Sequence, residues 1–121
     1  MSPACILVVE DEAPFRYYLA RTLQMHGYQV VEAEDGLAGL LQWLSMDPKP
    51  DLVLSDITMP RMNGIDFARK LREHDPDIAL LYVSAEAKPE FDLVRKPFLG
   101  DELIAAVQKR LSGGNRRAAK A

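Results

Sequence analysis

The chain has 121 residues, of which 48% are hydrophobic and 27% are charged, a balance that is ordinary for one folded domain and excludes global disorder. Its formal net charge of -3 lacks the basic excess that usually marks a nucleic-acid-binding protein. The single cysteine, Cys5, cannot form an internal disulfide, and a buried strand thiol is expected there. Neither a membrane-length apolar stretch nor a signal-peptide pattern is present, so we expect a soluble cytoplasmic protein without membrane contact.

Short apolar runs alternate with longer amphipathic segments, which is typical of βα units around a parallel sheet. In chain order, the pattern predicts strand 5–9, helix 13–25, strand 29–33, helix 36–44, strand 52–55, helix 65–73, strand 78–83, strand 91–95 and helix 99–111. The prolines in 47–50 make that stretch a connection. We expect one domain at 1–112 and a flexible polar tail at 113–121.

Apolar stripes on the predicted helices indicate which faces pack on the sheet. They comprise Phe15, Leu19 and Leu23 on the first helix, Leu37, Leu40, Leu41 and Leu44 on the second, and Leu103, Val107 and Leu111 on the last. Trp43 is interpreted as a packing residue of the second helix, and Glu34-Asp35 as its N-terminal cap. His26 and His74 are distant in sequence from any carboxylate cluster, so they are not expected to bind a metal.

Polar residues follow four of the predicted strands at the point where each strand ends. They are Asp11 with Glu10, then Asp56, Ser84 and Lys96. Because the carboxyl ends of parallel strands share one edge of a sheet, these side chains are expected to meet in one shallow pocket. Three carboxylates, a hydroxyl and an ammonium can together hold a divalent cation and accept a phosphoryl group.

Each of these residues also has a structural interpretation. The acids at 10–12 can form a solvated turn that caps the first helix, while Asp56 and Ser84 can be turn or cap residues and Lys96 a surface charge. The combination favours chemistry, because clustered carboxylates repel one another unless a cation or a proton intervenes.

Four motifs in this chain resemble those of the receiver domain of two-component response regulators. They are Glu10-Asp11, the block Asp56-Ile57-Thr58-Met59-Pro60 with Gly64, the pair Ser84-Ala85, and Lys96-Pro97-Phe98. Their order and spacing cover nearly the whole chain. The resemblance implies an α/β fold, a doubly wound, flavodoxin-like five-stranded parallel sheet with strand order 2-1-3-4-5.

The resemblance also implies a cofactor and a phosphoacceptor. Asp56 would take a phosphoryl group from a phosphohistidine of a sensor histidine kinase or phosphotransfer protein, and would become an aspartyl phosphate. Mg²⁺ or Mn²⁺ would be held by Asp11, Asp56 and the backbone carbonyl of Thr58, with Glu10 acting through a water.

Further family roles fall on residues near the last two strands. Lys96 would pair with the phosphoryl charge, and the Ser84 hydroxyl would donate a hydrogen bond to a phosphoryl oxygen. A cis peptide is implied between Lys96 and Pro97. Thr58 and Glu86 occupy the positions that tune phosphate lifetime in the family.

The chain departs from the family between Ser84 and Lys96, which are separated by only eleven residues. A parallel crossover usually needs a dozen or more residues, so the family's fourth helix is expected to be absent or reduced to one turn. Leu93 stands where the family usually has an aromatic switch residue. We therefore expect the switch to rely on movement of Ser84, Ala85 and the 85–90 loop without a rotating ring.

Loss of that helix also predicts uncovered apolar surface near strands four and five, where a partner or a second copy would bind unless a neighbouring helix closes the gap. A homodimer through strand four, strand five and the last helix is one such prediction. Otherwise the downstream protein target is unknown.

The leading hypothesis is a signalling phosphoacceptor, not an enzyme acting on other substrates. Met1 close to the first strand and the short tail favour a free-standing domain, although a receiver fragment of a hybrid kinase or transcription regulator, or a binding-only module, fits the same residues. A phosphatase would usually carry a second acid at the position of Thr58. A flavin phosphate would be repelled by the acids at 10–12.

Overall fold

The structure is a computed structural model that describes residues 3–84, 93–95 and 100–114. Its strands are β1 (Cys5–Val9), β2 (Gln29–Ala33), β3 (Leu52–Asp56), β4 (Leu80–Ser84) and β5 (Leu93–Arg95). Its helices are α1 (Ala13–Met25), α2 (Gly36–Ser45), α3 (Gly64–His74) and α4 (Gly100–Gly114). None of the helices described is long and apolar enough to cross a lipid bilayer.

All five strands are parallel and lie in the order β2-β1-β3-β4-β5, which confirms the predicted fold class and strand order. The register advances from Tyr82 with Leu93 to Ser84 with Arg95, which shows that β5 runs parallel to β4. The carboxyl ends of the strands therefore meet at one edge, as the predicted site requires.

The predicted element bounds agree closely with the structure over the first half of the chain and less well afterwards. β4 begins two residues later than predicted, and α4 continues through Gly114 into the predicted tail. The connection at 85–92, where a shortened or absent helix is predicted, lies outside the described residues, as does 115–121.

Two apolar clusters cover the two faces of the sheet. Ile6 and Val8 of β1 face α1 and α4, while Leu7 and Val9 face α2 and α3. This alternation follows from the two-residue period of a strand. Because both faces are covered, the central strands are mostly apolar until their carboxyl ends, as is typical of a parallel sheet.

Of the leucine stripe predicted on α2, only Leu40 packs against the core, where it is partly buried. Leu41 is 60% exposed, and Leu37 and Leu44 are exposed as well. The buried residues of α2 are Gly36, Gly39 and Trp43. A Cβ atom on Gly39 would lie 2.9 Å from Cγ2 of Val9, so α2 approaches β1 too closely for a larger residue. The prediction was wrong for Leu37, Leu41 and Leu44, because the two glycines and Trp43 make the closest contact with the sheet. Trp43 packs as predicted.

The apolar surface predicted beside β4 is also absent from the described residues of that strand. Leu80 and Tyr82 are buried, and they pack in the same cluster as Phe67 and Leu71 of α3. These α3 side chains help fill the space that the prediction left uncovered. Of the residues described, the exposed large hydrophobic ones lie on α1 and α2: Tyr17, Tyr18, Met25, Leu37, Leu41 and Leu44.

Candidate functional site

Three acidic residues meet at the carboxyl edge of the sheet. Carboxylate oxygens of Glu10, Asp11 and Asp56 all lie within 4.8 Å of one another. The register explains this, because Val9 pairs with Ser55 and the chain of each strand continues by one residue into Glu10 and Asp56. The structure thus brings together three of the side chains predicted to form the pocket.

Glu10 is fully buried, and its backbone and side chain hold the turn between β1 and α1. Its N–H donates to the carbonyl of Ala33 (3.1 Å), and its Oε2 accepts from the N–H of Glu12 (3.0 Å). Its carbonyl accepts from Nη1 of Arg16 (2.8 Å), and Nε of Arg16 lies 3.4 Å from Oε1 of Glu32. Glu12 is the N-cap of α1, but its side chain makes no cap hydrogen bond. These hydrogen bonds therefore fix the acidic turn beside the pocket.

Asp56 ends β3, and the loop after it is tightly folded. The N–H of Thr58 donates to Oδ1 of Asp56 (3.3 Å), and the N–H of Gly64 donates to the carbonyl of Ile57 (2.7 Å). A Cβ atom on Gly64 would lie 2.1 Å from the carbonyl oxygen of Asp56. Only glycine allows α3 to start this close to the phosphoacceptor candidate. Asn63 caps α3 by accepting from the N–H of Asp66 (2.9 Å).

The chemistry of this cluster fits a hard divalent cation. Glu10 and Asp56 are buried and Asp11 is exposed, so one side of the cluster is open to solvent. Three carboxylates at this separation repel one another, and a cation relieves that repulsion. Mg²⁺ prefers oxygen ligands and usually keeps several waters, which suits an acidic group that is open on one side.

Of the other predicted site residues, the structure describes Ser84 and Thr58. Ser84 is buried at the end of β4, one residue beyond Val83, the register partner of Asp56. Thr58 is exposed in the loop after β3. Ala85, Glu86, Lys96 and Pro97, and with them the predicted cis peptide, lie outside the described residues, as does the side chain of Leu93. Their predicted roles stay predictions.

Sequence analysis missed an ion pair between two loops at this edge. Nε of Arg61, in the loop after β3, donates to Oδ2 of Asp35 (2.7 Å), and Nη2 donates to the same oxygen. Asp35 also caps α2 as predicted, since its Oδ1 accepts from the N–H of Ala38 (2.8 Å). Nη2 of Arg61 lies 3.5 Å from Oε1 of Glu34. No local pattern signals a contact between residues 26 positions apart.

Asp35 is ionised more readily than an ordinary aspartate. Burial raises the pKa of its carboxyl, but the hydrogen bonds from Ala38 and Arg61 outweigh that effect and hold the pKa below its usual value. The same pairing raises the pKa of Arg61. Asp35 therefore stays charged while it caps the helix and binds the guanidinium.

Cys5 and the two histidines lie away from the acidic cluster. Cys5 is only partly buried, and burial together with the charge of Asp51 raises the pKa of its thiol, which is the setting of an inert structural cysteine. Nδ1 of His26 lies 3.0 Å from the carbonyl of Thr22. His74 ends α3, with its ring 5.7 Å from that of Trp43.

Comparison with known proteins identifies the class of this fold and site. The response regulator receiver domain family matches residues 6–108, and the chain belongs to that family, the receiver domains of two-component systems. It is 37% identical to the phosphate regulon transcriptional regulatory protein PhoB of Escherichia coli over 88% of this chain and 52% of that protein. It is 35% identical to the sensor kinase CckA of Brucella abortus, over 89% of this chain and 12% of the kinase.

A solved structure supports the same assignment. The response regulator TrrA of Thermotoga maritima, in complex with Mg²⁺-BeF, superimposes with a TM-score of 0.80 at 32% identity, covering 88% of this chain and 98% of TrrA. The match thus covers nearly all of the solved TrrA chain, but about half of PhoB.

Proposed function

We propose that this chain is the phosphoacceptor of a two-component phosphorelay, with Asp56 as the residue that is phosphorylated. The observation that carries the proposal is the convergence of Asp56 with Glu10 and Asp11 at the carboxyl edge of the sheet. Receiver domains interact with histidine kinases and downstream effectors, and the family match supports the same class of partners here.

The reaction transfers a phosphoryl group from nitrogen to oxygen. A carboxylate oxygen of Asp56 attacks the phosphorus of a phosphohistidine, the P–N bond breaks, and the imidazole leaves with that electron pair. The new P–O bond makes an aspartyl phosphate. The N–H of Thr58, 3.3 Å from Oδ1 of Asp56, orients the carboxylate for this attack.

Receiver domains bind Mg²⁺ at an acidic pocket, and the three carboxylates here fit that ion. Asp11, Asp56 and the carbonyl of Thr58 would hold Mg²⁺ or Mn²⁺, with Glu10 acting through a water. The bound cation would neutralise charge on the phosphoryl oxygens. The solved complex of TrrA with Mg²⁺-BeF supports this assignment by similarity.

Ser84 and Lys96 complete the proposed site. The Ser84 hydroxyl, at the end of β4 beside Asp56, would donate to a phosphoryl oxygen, and Lys96 would pair with its charge. The switch would then involve Ser84 and the segment after it, while Thr58 and Glu86 tune how long the phosphate lasts. The chain catalyses only its own phosphorylation and dephosphorylation in this proposal.

The phosphoacceptor would either be a free-standing protein or one domain of a longer chain. The match covers 98% of the solved TrrA chain, which supports a free-standing response regulator, whereas PhoB and CckA carry their matching regions within longer chains. The same phosphoacceptor chemistry serves both arrangements. The homodimer through β4, β5 and α4 stays a prediction.

The proposal is tested by incubating the chain with Mg²⁺ and acetyl phosphate and measuring its intact mass. We expect the mass to rise by one phosphoryl group, and to stay unchanged in Asp56→Asn or after chelation of the metal. Asp66→Asn, an exposed carboxylate on α3, is the matched control and should be phosphorylated normally. A parent chain that gains no phosphoryl group, or an Asp56→Asn variant that still gains one, would falsify the proposal.

A further inference from the structure

The loop between β3 and α3 is held against the start of α2 by two separate contacts. The first is polar: the guanidinium of Arg61 donates twice to Oδ2 of Asp35, whose Oδ1 caps α2. The second is a backbone contact, since a Cβ atom on Gly36 would lie 2.4 Å from the carbonyl oxygen of Met62. The outer half of the loop therefore rests on the N-terminal turn of α2.

Arg61 adopts a backbone conformation that an arginine rarely takes. Its φ is 66°, in the left-handed region that favours glycine. Such a residue persists where its surroundings over-determine it, and functional sites are where these residues concentrate. Here the surroundings are the carboxylate of Asp35 and the close approach of Met62 to α2.

The position of Arg61 in the loop connects this pairing to the acidic site. Arg61 follows Thr58 by three residues, and the N–H of Thr58 donates to Asp56. The far end of the loop is already held by the hydrogen bond from Gly64 to Ile57. Between these points Met59 is buried, whereas Thr58, Pro60 and Arg61 are exposed. Besides the burial of Met59 and the packing of Met62 on Gly36, the contact with Asp35 is thus the side-chain contact that ties the exposed outer half of the loop to α2.

We propose that Arg61 is a positioning residue for the acidic site, acting through Asp35 to hold the Thr58 backbone where a bound cation needs it. This inference rests on the proposed function. It assigns to α2, through Asp35, part of the control over the geometry of the cation site. Arginine suits the role because its planar guanidinium holds two N–H groups in a fixed fork toward the carboxylate of Asp35, whereas a lysine ammonium is a compact charge on a flexible stem. Asp35 suits it because a carboxylate has one oxygen for the helix cap and one for the guanidinium.

The decisive variant is Arg61→Gly, measured by Mg²⁺ titration of the unphosphorylated chain. Glycine accepts the positive φ, so the substitution removes the guanidinium without adding backbone strain. We expect Mg²⁺ affinity to fall about threefold to tenfold, below the 10- to 100-fold loss that is typical of residues directly supporting a metal ligand. Arg61→Lys should restore only part of the affinity.

Two further variants separate positioning from a general loss of structure. Asp35→Asn keeps an N-cap acceptor for α2 but loses the charge that Arg61 binds, so it should weaken Mg²⁺ binding by a similar factor. The double variant should bind no more weakly than either single one, because both remove the same contact. Arg69→Ala is the matched control, since it breaks an exposed arginine–aspartate pair with Asp66 (2.9 Å) on α3.

A second measurement, amide hydrogen exchange, shows how firmly the loop is held when no metal is bound. In Arg61→Gly, amide hydrogen exchange at residues 58–62 should accelerate more than exchange in β1 and β3. The thermal midpoint should fall modestly, because the buried carboxylate of Asp35 loses its arginine partner. Parent-like Mg²⁺ affinity and exchange in Arg61→Gly would overturn the inference and leave the proposed function intact. If the parent chain binds no Mg²⁺ and accepts no phosphoryl group, the proposed function fails, and the inference fails with it.

Discussion

At the scale of single residues, Asp35 shows how one carboxylate can hold two parts of the molecule. One oxygen accepts from Ala38 in α2, and the other binds Arg61 from a loop 26 positions later in the chain. Both contacts favour the ionised form. Burial raises the pKa of this carboxyl, but the two contacts together lower it by more. The pKa of Asp35 in the folded chain therefore lies below its value in the unfolded chain.

This pKa predicts the direction of a pH effect on stability. A carboxyl with a lowered folded-state pKa contributes stability that is complete above its unfolded pKa, about 3.9 for aspartate, and is lost as the pH falls below that value. We expect Asp35→Asn to make the free energy of unfolding fall less steeply between about pH 4 and pH 2 than in the parent. Urea denaturation across this range measures it.

The control for this experiment is Asp66→Asn, the same change of acid to amide on α3, where the carboxylate pairs with Arg69 on the surface. At acidic pH, the free energy of unfolding of this variant should fall as steeply as that of the parent. Parallel profiles for Asp35→Asn and the parent would show that Asp35 is not a source of the pH dependence.

At the scale of elements, α2 shows that the most apolar residues of a helix need not form its buried face. The contact with β1 is made through Gly36, Gly39 and Trp43, and the leucines at 37, 41 and 44 face solvent. Lys49 strengthens the end of this helix, because its Nζ donates to the carbonyl of Trp43 (2.7 Å) and lies 4.4 Å from the indole centroid. The burial of Trp43 therefore matters more than that of any leucine on the exposed stripe.

Two substitutions on α2 test this orientation. Leu41→Lys should change the free energy of unfolding by no more than about 0.5 kcal/mol, since an exposed side chain loses little packing. Trp43→Ala should cost about 3–5 kcal/mol, because it leaves a cavity between α2 and the sheet. Denaturant unfolding measures both values, and comparable losses in the two variants would mean that α2 is rotated from the position described.

At the scale of the whole molecule, repulsion within the acidic cluster lowers the stability of the metal-free fold. Glu10 and Asp11 follow β1 and Asp56 ends β3, and pairing of these two strands forces their carboxylates together. The repulsion is a consequence of the sheet order and not of any local segment. A cation at this edge would turn that unfavourable arrangement into a binding site.

Removing one of these charges should therefore stabilise the metal-free chain. We expect Asp11→Asn to raise its free energy of unfolding by about 1 kcal/mol, at the low end of the estimate for two charges this close because Asp11 is exposed. The same variant should lose the increase in thermal midpoint that Mg²⁺ produces in the parent. Thermal unfolding with and without Mg²⁺ measures both effects.

An Asp11→Asn chain that is less stable than the parent without metal would contradict this account of the cluster. So would a variant whose midpoint still rises with Mg²⁺ as much as the parent's. Asp66→Asn again provides the comparison, since it removes one exposed charge far along the chain from the cluster.

Much of the fold was predictable because its signals are local. The periodicity of 3.6 residues placed α1, and runs of apolar residues placed the central strands within two residues of their observed bounds. The acidic part of the site was predictable for a related reason: Asp11 and Asp56 both stand where an apolar run stops. Once the strands are parallel, their carboxyl ends must share an edge.

By itself, then, the sequence determined the elements and the acids at the strand ends, because each depends on the spacing of residues along a short segment. The meeting of those acids follows once the strands are parallel and adjacent. The tertiary structure alone decided the rotation of α2 and the pairing of Arg61 with Asp35. These depend on how closely α2 approaches the sheet and the loop after β3. That distance is set by the glycines at 36 and 39 against Met62 and Val9, and such contacts between distant segments leave no period in the sequence.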